Sequence, residues 1–392
     1  MKKITLLGPA YPYRGGIATI MERLCATFVG RGAKCRLLTF TVQYPKILFP
    51  GKSQYRESEA PEGIDIVRAV NTVWPPNWIK VGLRIRRERP DALILKYWTP
   101  FMAPCFGTIA RIARGNKHTK VLVQLDNVIP HERHFVDTVF TRYFINSADG
   151  FIYMSEQVHR DLRLFTESKP ALYSPHPLFD NLGARISKDE ACEKLGLDSR
   201  ISYMLFFGLI RDYKGLDMLI EAWRLLKTEG RTAGRKLLVA GEFYSGRERY
   251  LRQIRQAGLE EEIIVRDSFI PDPDVKLYFS AADCLVLPYY SATQSGVTQI
   301  AYNFDTPMIA TRVGGLAEIV TDGVSGIVTD VSAESIAGAI GEFYTPHTAE
   351  KLRLGVEKEK VRFSWQATAD RIEELYRLCR KEETTPNSNP VK

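Results

Sequence analysis

The chain has 392 residues, too many for one ordinary core and enough for two domains of about 150 to 200 residues each. Apolar residues at 45% and charged residues at 26% are the balance of a soluble globular protein, so disorder is not the default reading. The net charge of +8 is uneven: residues 1–175 hold 26 Lys and Arg against 14 Asp and Glu, whereas residues 176–392 hold 28 against 32. A basic half of this kind suits nucleic acid, an anionic membrane face or an anionic substrate, or it serves solubility alone.

In chain order, short apolar strand-like runs alternate with longer helical patterns. The periodicity predicts strands at Ile4–Gly8, Cys35–Phe40, Ile64–Val70, Ala92–Trp98, Lys120–Leu125 and Gly150–Met154, with a helix at Ile17–Val29 and others between most strands. A turn-rich stretch, Ser174–Gly183, reads as a linker. A second series follows, with strands at Ser202–Gly208, Lys236–Gly241, Ile263–Asp267, Cys284–Pro288, Pro307–Ala310 and Gly326–Thr329. Its helices are expected at Leu216–Lys227, Arg247–Ala257, Asp274–Ala281, Gly296–Asn303 and Ser332–Phe343. This βαβ order implies α/β architecture with two Rossmann-like, doubly wound parallel sheets. The expected domains are 1–178 and 179–363. The amphipathic segment 364–380 either closes the second domain or crosses back to the first, and the polar tail 381–392 reads as disordered. Ligands of such a pair are expected in a cleft faced by strand C-termini.

The six cysteines contain no CxxC pair and sit largely in apolar runs, so they read as buried free thiols in a reducing compartment. The first apolar run is too short for a signal-peptide core, and no run approaches 18 apolar residues. Walker A, HExxH, GxSxG and Cys/His metal spacings are missing, which disfavours metal-dependent hydrolysis and serine-nucleophile chemistry.

Four segments fall at predicted strand C-termini. Gly15 and Gly16 follow the first strand and open a helix, where bare backbone N–H groups can approach a phosphate; a flexible turn is the plain alternative, and the spacing is not GxGxxG. Arg211 and Lys214, in GLIRDYKG, either neutralise a diphosphate from a strand end or lie on a solvated turn. Ser295, Gly296, Val297 and Thr298 open another helix, whose unpaired amides suit phosphate with hydroxyl help from Ser295 or Thr298; an N-cap by Ser295 is compatible with this. Asp126, Asn127, His131 and Glu132 cluster after the Lys120–Leu125 strand. The basic stretch Ile79–Pro90, with Arg84, Arg86, Arg87 and Arg89, suits anionic lipid headgroups or is a solvated helix face.

Together these segments resemble family 4 glycosyltransferases of the GT-B fold. GPAYPYRGGIATIMERL looks like that family's N-terminal glycine loop, LFFGLIRDYKGLDMLIEAW like its Arg/Lys donor-phosphate motif, and ADCLVLPYYSATQSGVTQIAYNFDTPMIATRVGGLAEIV like its C-terminal donor block. The resemblance implies a nucleoside-diphosphate sugar donor, retention of anomeric configuration, no essential metal and no further cofactor. By matching position, Gly15 and Gly16 would contact donor phosphate, Arg211 and Lys214 would hold the diphosphate and assist catalysis, and the 295–298 segment would cap it. Asp126 and His131 are the remaining catalytic candidates, Asp126 standing where relatives often carry His. Where many relatives carry two Glu eight positions apart, this chain has Ala292 and Ile300, so ribose or sugar contacts are expected from Gln294 or Gln299.

The leading expectation is hexosyl transfer to a glycan or lipid-linked acceptor in surface polysaccharide biosynthesis. The chain would work in the cytoplasm, with peripheral contact to the anionic inner face of the plasma membrane through its basic N-terminal domain and no nucleic-acid partner. The alternatives are a GT-B-type epimerase or phosphorylase and a non-catalytic nucleotide-binding module.

Overall fold

A computed structural model of the chain describes residues 1–45, 54–55, 59–129, 135–292 and 295–381. It divides into two compact units: unit 1 is Met1–Pro175 with Trp365–Lys392, and unit 2 is His176–Ser364. Each is a parallel α/β sheet with helices on both faces, as near-continuous Val/Ile/Leu strand sequences require.

Unit 1 contains β1 (Lys3–Leu7), β2 (Lys34–Val42), β3 (Asp65–Asn71), β4 (Ala92–Tyr97), β5 (Lys120–Leu125), β6 (Gly150–Tyr153) and β7 (Ala171–Tyr173). They lie in the order β3-β2-β1-β4-β5-β6-β7, all parallel. The edge strand β7 was not expected: its three residues are only half-buried, too few to show a period. Alternation splits the core in two. Leu93, Leu95 and Tyr97 of β4 face one cluster with Val121, Val123 and Leu125 of β5; Ala92 and Ile94 face the other with Leu122 and Ile152.

The helix Trp365–Lys381 belongs to unit 1, so of the two placements open for the 364–380 segment, unit 1 takes it. Its Ile372, Leu375, Tyr376 and Cys379 complete the second cluster. It sits so close to β6 that a Cβ on Gly150 would lie 2.7 Å from Cys379 Sγ and 2.8 Å from a Leu375 methyl. The apolar stripe that the sequence displays thus covers the β5–β6–β7 side of a sheet laid down some 200 residues earlier in the chain.

Unit 2 contains β8 (Ser202–Phe207), β9 (Arg235–Ala240), β10 (Ile263–Arg266), β11 (Cys284–Leu287), β12 (Met308–Thr311) and β13 (Gly326–Thr329), in the order β10-β9-β8-β11-β12-β13. All six are parallel. In both sheets the strand order reverses once, between β1 and β4 and between β8 and β11; the C-terminal side of such a switch point is where ligands of open α/β sheets bind. Much of the expected linker belongs to unit 2: the Leu178 amide donates to the Phe363 carbonyl at 3.0 Å, and a Cβ on Gly296 would meet the Phe179 ring at 3.1 Å. All six cysteines are free and buried. Among the described residues no helix is long and apolar enough to cross a membrane.

Leu375→Ala removes a fully buried side chain from the seam between this helix and β6. We expect it to lower stability by about 2–4 kcal/mol, read from the urea unfolding midpoint monitored by circular dichroism.

Candidate active site

Beyond the ends of β8 and β11 two segments distant in the sequence come together. After β8 the chain passes Gly208 (φ +92), turns through the short 3-10 helix Asp212–Lys214, and enters the helix Leu216–Thr228 at Gly215 (φ +68). Glycine is obligatory at 215 on two counts. The left-handed backbone disfavours any side chain, and a Cβ there would lie 2.0 Å from the Pro288 carbonyl oxygen at the end of β11. Gly241 plays the same part between β8 and β9, since a Cβ on it would lie 2.2 Å from the Gly208 carbonyl oxygen. Backbone thus lies on backbone at the three adjacent strand ends, and the 208–215 turn is held down over the switch point.

This closeness buries Lys214. The residue is 7% exposed, and its ammonium lies 5.7 Å from the centre of the Tyr289 ring. The positions around Gly208 tie the two segments together: a Cβ built on that glycine would stand 3.4 Å from Lys214 Nζ and 3.6 Å from a methyl of Val297. Among the described residues no carboxylate pairs with Lys214. Its pKa is lowered to about 8, first by burial and then by the nearby Arg211 guanidinium. Arg211 is exposed, with its guanidinium carbon 4.4 Å from the centre of the Tyr244 ring.

The helix Gly296–Asn303 begins beside this pair. Ser295 does not cap it, contrary to the simple N-cap reading: its hydroxyl lies 3.3 Å from the buried Tyr289 hydroxyl. Thr298 is also corrected. Its amide and its hydroxyl both donate to the Ser295 carbonyl, at 3.2 and 2.6 Å, and the residue is fully buried, so neither proton is available to a ligand. The start of the helix is therefore carried by Gly296, which is exposed, and Val297, with no side-chain cap in front of them. An uncapped helix N-terminus beside a buried, unpaired ammonium has the chemistry that suits an anion.

The sugar-contact expectations fare differently. Gln294 lies outside the described residues. Gln299 is fully buried with neither amide oxygen nor nitrogen hydrogen-bonded, so it offers no surface to a ribose; the expected contact is not one this side chain makes as it stands. Ala292 and Ile300, at the positions of the two Glu, pack against the apolar core of unit 2.

In unit 1, Gly15 (φ +113) precedes the helix Gly16–Gly30, again without a side-chain cap, and Gly15 and Gly16 are both exposed. Asp126, a catalytic candidate, is engaged in an ion pair. Its carboxylate is 2.6 Å from the ammonium of Lys96, a side chain of β4 with no exposed surface. Alternation along β4 points Lys96 to the same face as Ile94, and the bare Gly8 leaves room for it, a Cβ there meeting Lys96 Cβ at 3.2 Å. Asp126 is thus the counter-ion of a buried lysine. His131 and Glu132 lie outside the described residues. Sequence reading overlooked Lys96, Tyr244 and Tyr289. The available signal for Lys96 was a lone cation one residue from the end of an otherwise apolar strand, a position where charge survives only when paired.

Comparison with known proteins bears on both units. The family described as "Glycosyl transferases group 1" matches residues 202–345, and the "Glycosyl transferase 4-like domain" matches residues 15–171. Over 235 residues the chain is 26% identical to a D-inositol 3-phosphate glycosyltransferase of Catenulispora acidiphila, covering 57% of this chain and 55% of that protein. The chain spans about half the length of the curated relatives it matches. Its fold is similar to that of a sucrose-phosphate synthase of Thermosynechococcus elongatus (TM-score 0.69, 18% identity, 97% of this chain and 100% of that one). It is also similar to that of HepE from Anabaena, solved with UDP and glucose (TM-score 0.65, 16% identity, 95% and 99%).

Two outcomes are expected from these geometries. Asp126→Ala leaves a buried ammonium unpaired and should destabilise unit 1 by about 3 kcal/mol, whereas adding Lys96→Met to it should restore most of the loss; thermal unfolding of the single and double variants distinguishes the two. Gly215→Ala drives a methyl group into the Pro288 carbonyl from a left-handed backbone, so the thermal unfolding midpoint should fall.

Proposed function

Because the chain belongs to the group 1, family 4 glycosyltransferases of the GT-B fold, we propose that it transfers a hexosyl unit from a nucleoside-diphosphate sugar to a glycan or lipid-linked acceptor. One observation carries this reading: Lys214 is buried without a carboxylate, next to Arg211 and an uncapped helix start. Burying an ammonium in this way is unfavourable for the empty protein and favourable once a diphosphate arrives.

As the glycosidic bond to the diphosphate breaks, negative charge grows on the departing oxygens. Lys214 sits where its ammonium can donate to them, Arg211 offers its fork from the exposed side, and the amides of Gly296 and Val297 add the positive end of a helix. Preformed positive groups at this position stabilise the leaving group without reorganisation, the task that a metal ion performs elsewhere. No metal or other cofactor enters this proposal. The neighbour solved with UDP and glucose supports a nucleoside-diphosphate donor, and the inositol-phosphate relative supports a polar, phosphorylated or glycan-like acceptor. We extend the proposal to retention of configuration and a role in surface polysaccharide synthesis on the cytoplasmic side of the membrane. Unit 1 favours peripheral contact there: the helix Pro75–Glu88 turns Ile79, Leu83, Arg86 and Arg87 to solvent, and Trp74 precedes it, also exposed.

The test is binding of UDP, GDP, ADP and dTDP by thermal shift, followed by donor turnover with the sugar nucleotides of whichever base binds. Arg211→Ala with Lys214→Ala should abolish turnover, each lost contact costing about 2–4 kcal/mol in the transition state; unchanged turnover would overturn the assignment. The pH dependence has a defined sign. Below about pH 8 Lys214 is charged in the free protein and binding needs no proton. Above it the free side chain is neutral and must take up a proton, so nucleotide affinity should fall by up to tenfold per pH unit, and Lys214→Ala should flatten that slope.

A further inference from the structure

The opposite end of the unit 1 sheet carries a second concentration of positive charge. β5 starts at Lys120, and about 20 Å of strand separates that end from Asp126. Here the last turn of the helix Ala103–Arg114 and the following loop enclose a cavity of about 590 Å³. Arg111, Arg114, Lys117, His118 and Lys120 line it, against Asp149 as its acidic residue.

That carboxylate is already used. One oxygen meets Arg114 at 2.8 Å and the other accepts from the Val121 amide at 2.7 Å. His118 faces Asp91 at 3.2 Å, but Asp91 also accepts from the amides of Lys2 and Lys3, at 2.6 and 3.0 Å. Arg111 lies over the Tyr143 ring at 4.0 Å and donates to the Tyr143 carbonyl at 2.9 Å. Among the described residues neither Arg111 nor Lys117 has an acidic partner. Behind the wall, Lys169 donates to the carbonyls of Ile145 and Ala148, and its pKa is lowered to about 8, first by burial and then by Arg114.

Lys117 is held in a left-handed backbone (φ +53), an uncommon conformation for a side chain of its size. The Asn116 side chain maintains it, its oxygen accepting from the amides of His118 and Thr119 at 2.9 Å each. Gly115 and Lys117 also border a second cavity of about 600 Å³, lined by Leu83, Arg86, Arg87 and Arg89. The fold therefore spends local backbone strain on a lysine at the rim of both cavities.

We propose that this cavity is a binding site for a phosphorylated anion, separate from the diphosphate cradle of unit 2. A doubly charged phosphate would convert the mutual repulsion of Arg111, Arg114 and Lys117 into charge-assisted hydrogen bonds, for which guanidinium forks are matched. The adjoining cavity, with Arg86, Arg87 and Arg89 beside Leu83, continues the same positive surface. The phosphate belongs either to a soluble metabolite or to the headgroup of an anionic lipid, and the two sources share this chemistry.

The experiment uses the full chain carrying Arg211→Ala and Lys214→Ala, so that the donor cradle cannot contribute. Titration calorimetry with inorganic pyrophosphate should show saturable binding in that background. Adding Arg111→Gln and Lys117→Gln should weaken it at least tenfold while leaving the unfolding midpoint nearly unchanged, because both side chains are exposed. Co-sedimentation with vesicles containing phosphatidic acid, whose headgroup is a phosphomonoester, against phosphatidylcholine controls, separates the sources. Vesicle binding that pyrophosphate competes away and that Arg111→Gln with Lys117→Gln removes assigns a lipid headgroup; pyrophosphate binding without vesicle binding assigns a soluble ligand. Absence of both, or affinity insensitive to Arg111→Gln with Lys117→Gln, overturns the site. Neither result touches the donor reading, which rests on the unaltered protein.

Discussion

The contact between Gly215 and the Pro288 carbonyl is the constraint on which the candidate active site depends. Because no side chain stands between them, the turn after β8 lies directly on the end of β11. Lys214, one residue earlier, is thereby pressed against the Tyr289 ring instead of extending into water. A lysine on an ordinary surface turn would keep its hydration and its usual pKa. Here burial has removed much of that hydration, and no carboxylate replaces it, so the ammonium is left with interaction energy to give to an anion. The neighbouring helix start acts in the same direction, since Ser295 turns its hydroxyl to Tyr289 and leaves Gly296 and Val297 in front uncapped.

Unit 1 uses charge in two other ways, and burial separates them. Lys96 has no contact with water and survives there because Asp126 supplies the opposite charge at 2.6 Å. Such a pair holds the ends of β4 and β5 in one arrangement. At the far end of β5 the cations are mostly exposed and outnumber the carboxylate among them. Water meets their hydration there, so repulsion rather than desolvation is the cost, and a polyanion relieves it. The excess positive charge of residues 1–175 therefore has a location: much of it lies along the helix Pro75–Glu88 and around the start of β5.

Much of the fold was legible in the sequence because parallel strands buried on both faces must be written as continuous apolar runs, and these stand out between helical periods. All six strands of unit 2 and six of the seven in unit 1 were read in that way. β7 escaped because a three-residue, half-buried edge strand has no period to detect. The glycines and cations of GLIRDYKG and the Ser295–Thr298 helix start were likewise visible as types of residue at strand ends. Their individual roles were not, since a hydroxyl can cap, donate to a carbonyl or meet a ligand with the same sequence around it. Thr298 and Ser295 spend theirs internally.

Sequence alone determined the alternation of strand and helix, hence two doubly wound sheets, and placed the candidate phosphate-binding residues at strand C-termini, because local periodicity and glycine position are properties of neighbouring residues. Tertiary structure alone decided that Lys214 is buried, that Lys96 claims Asp126, and that the helix Trp365–Lys381 seats on β6. Each of these depends on groups tens to hundreds of residues apart coming within a few ångströms, and neither desolvation nor ion pairing is written in the local pattern of a chain.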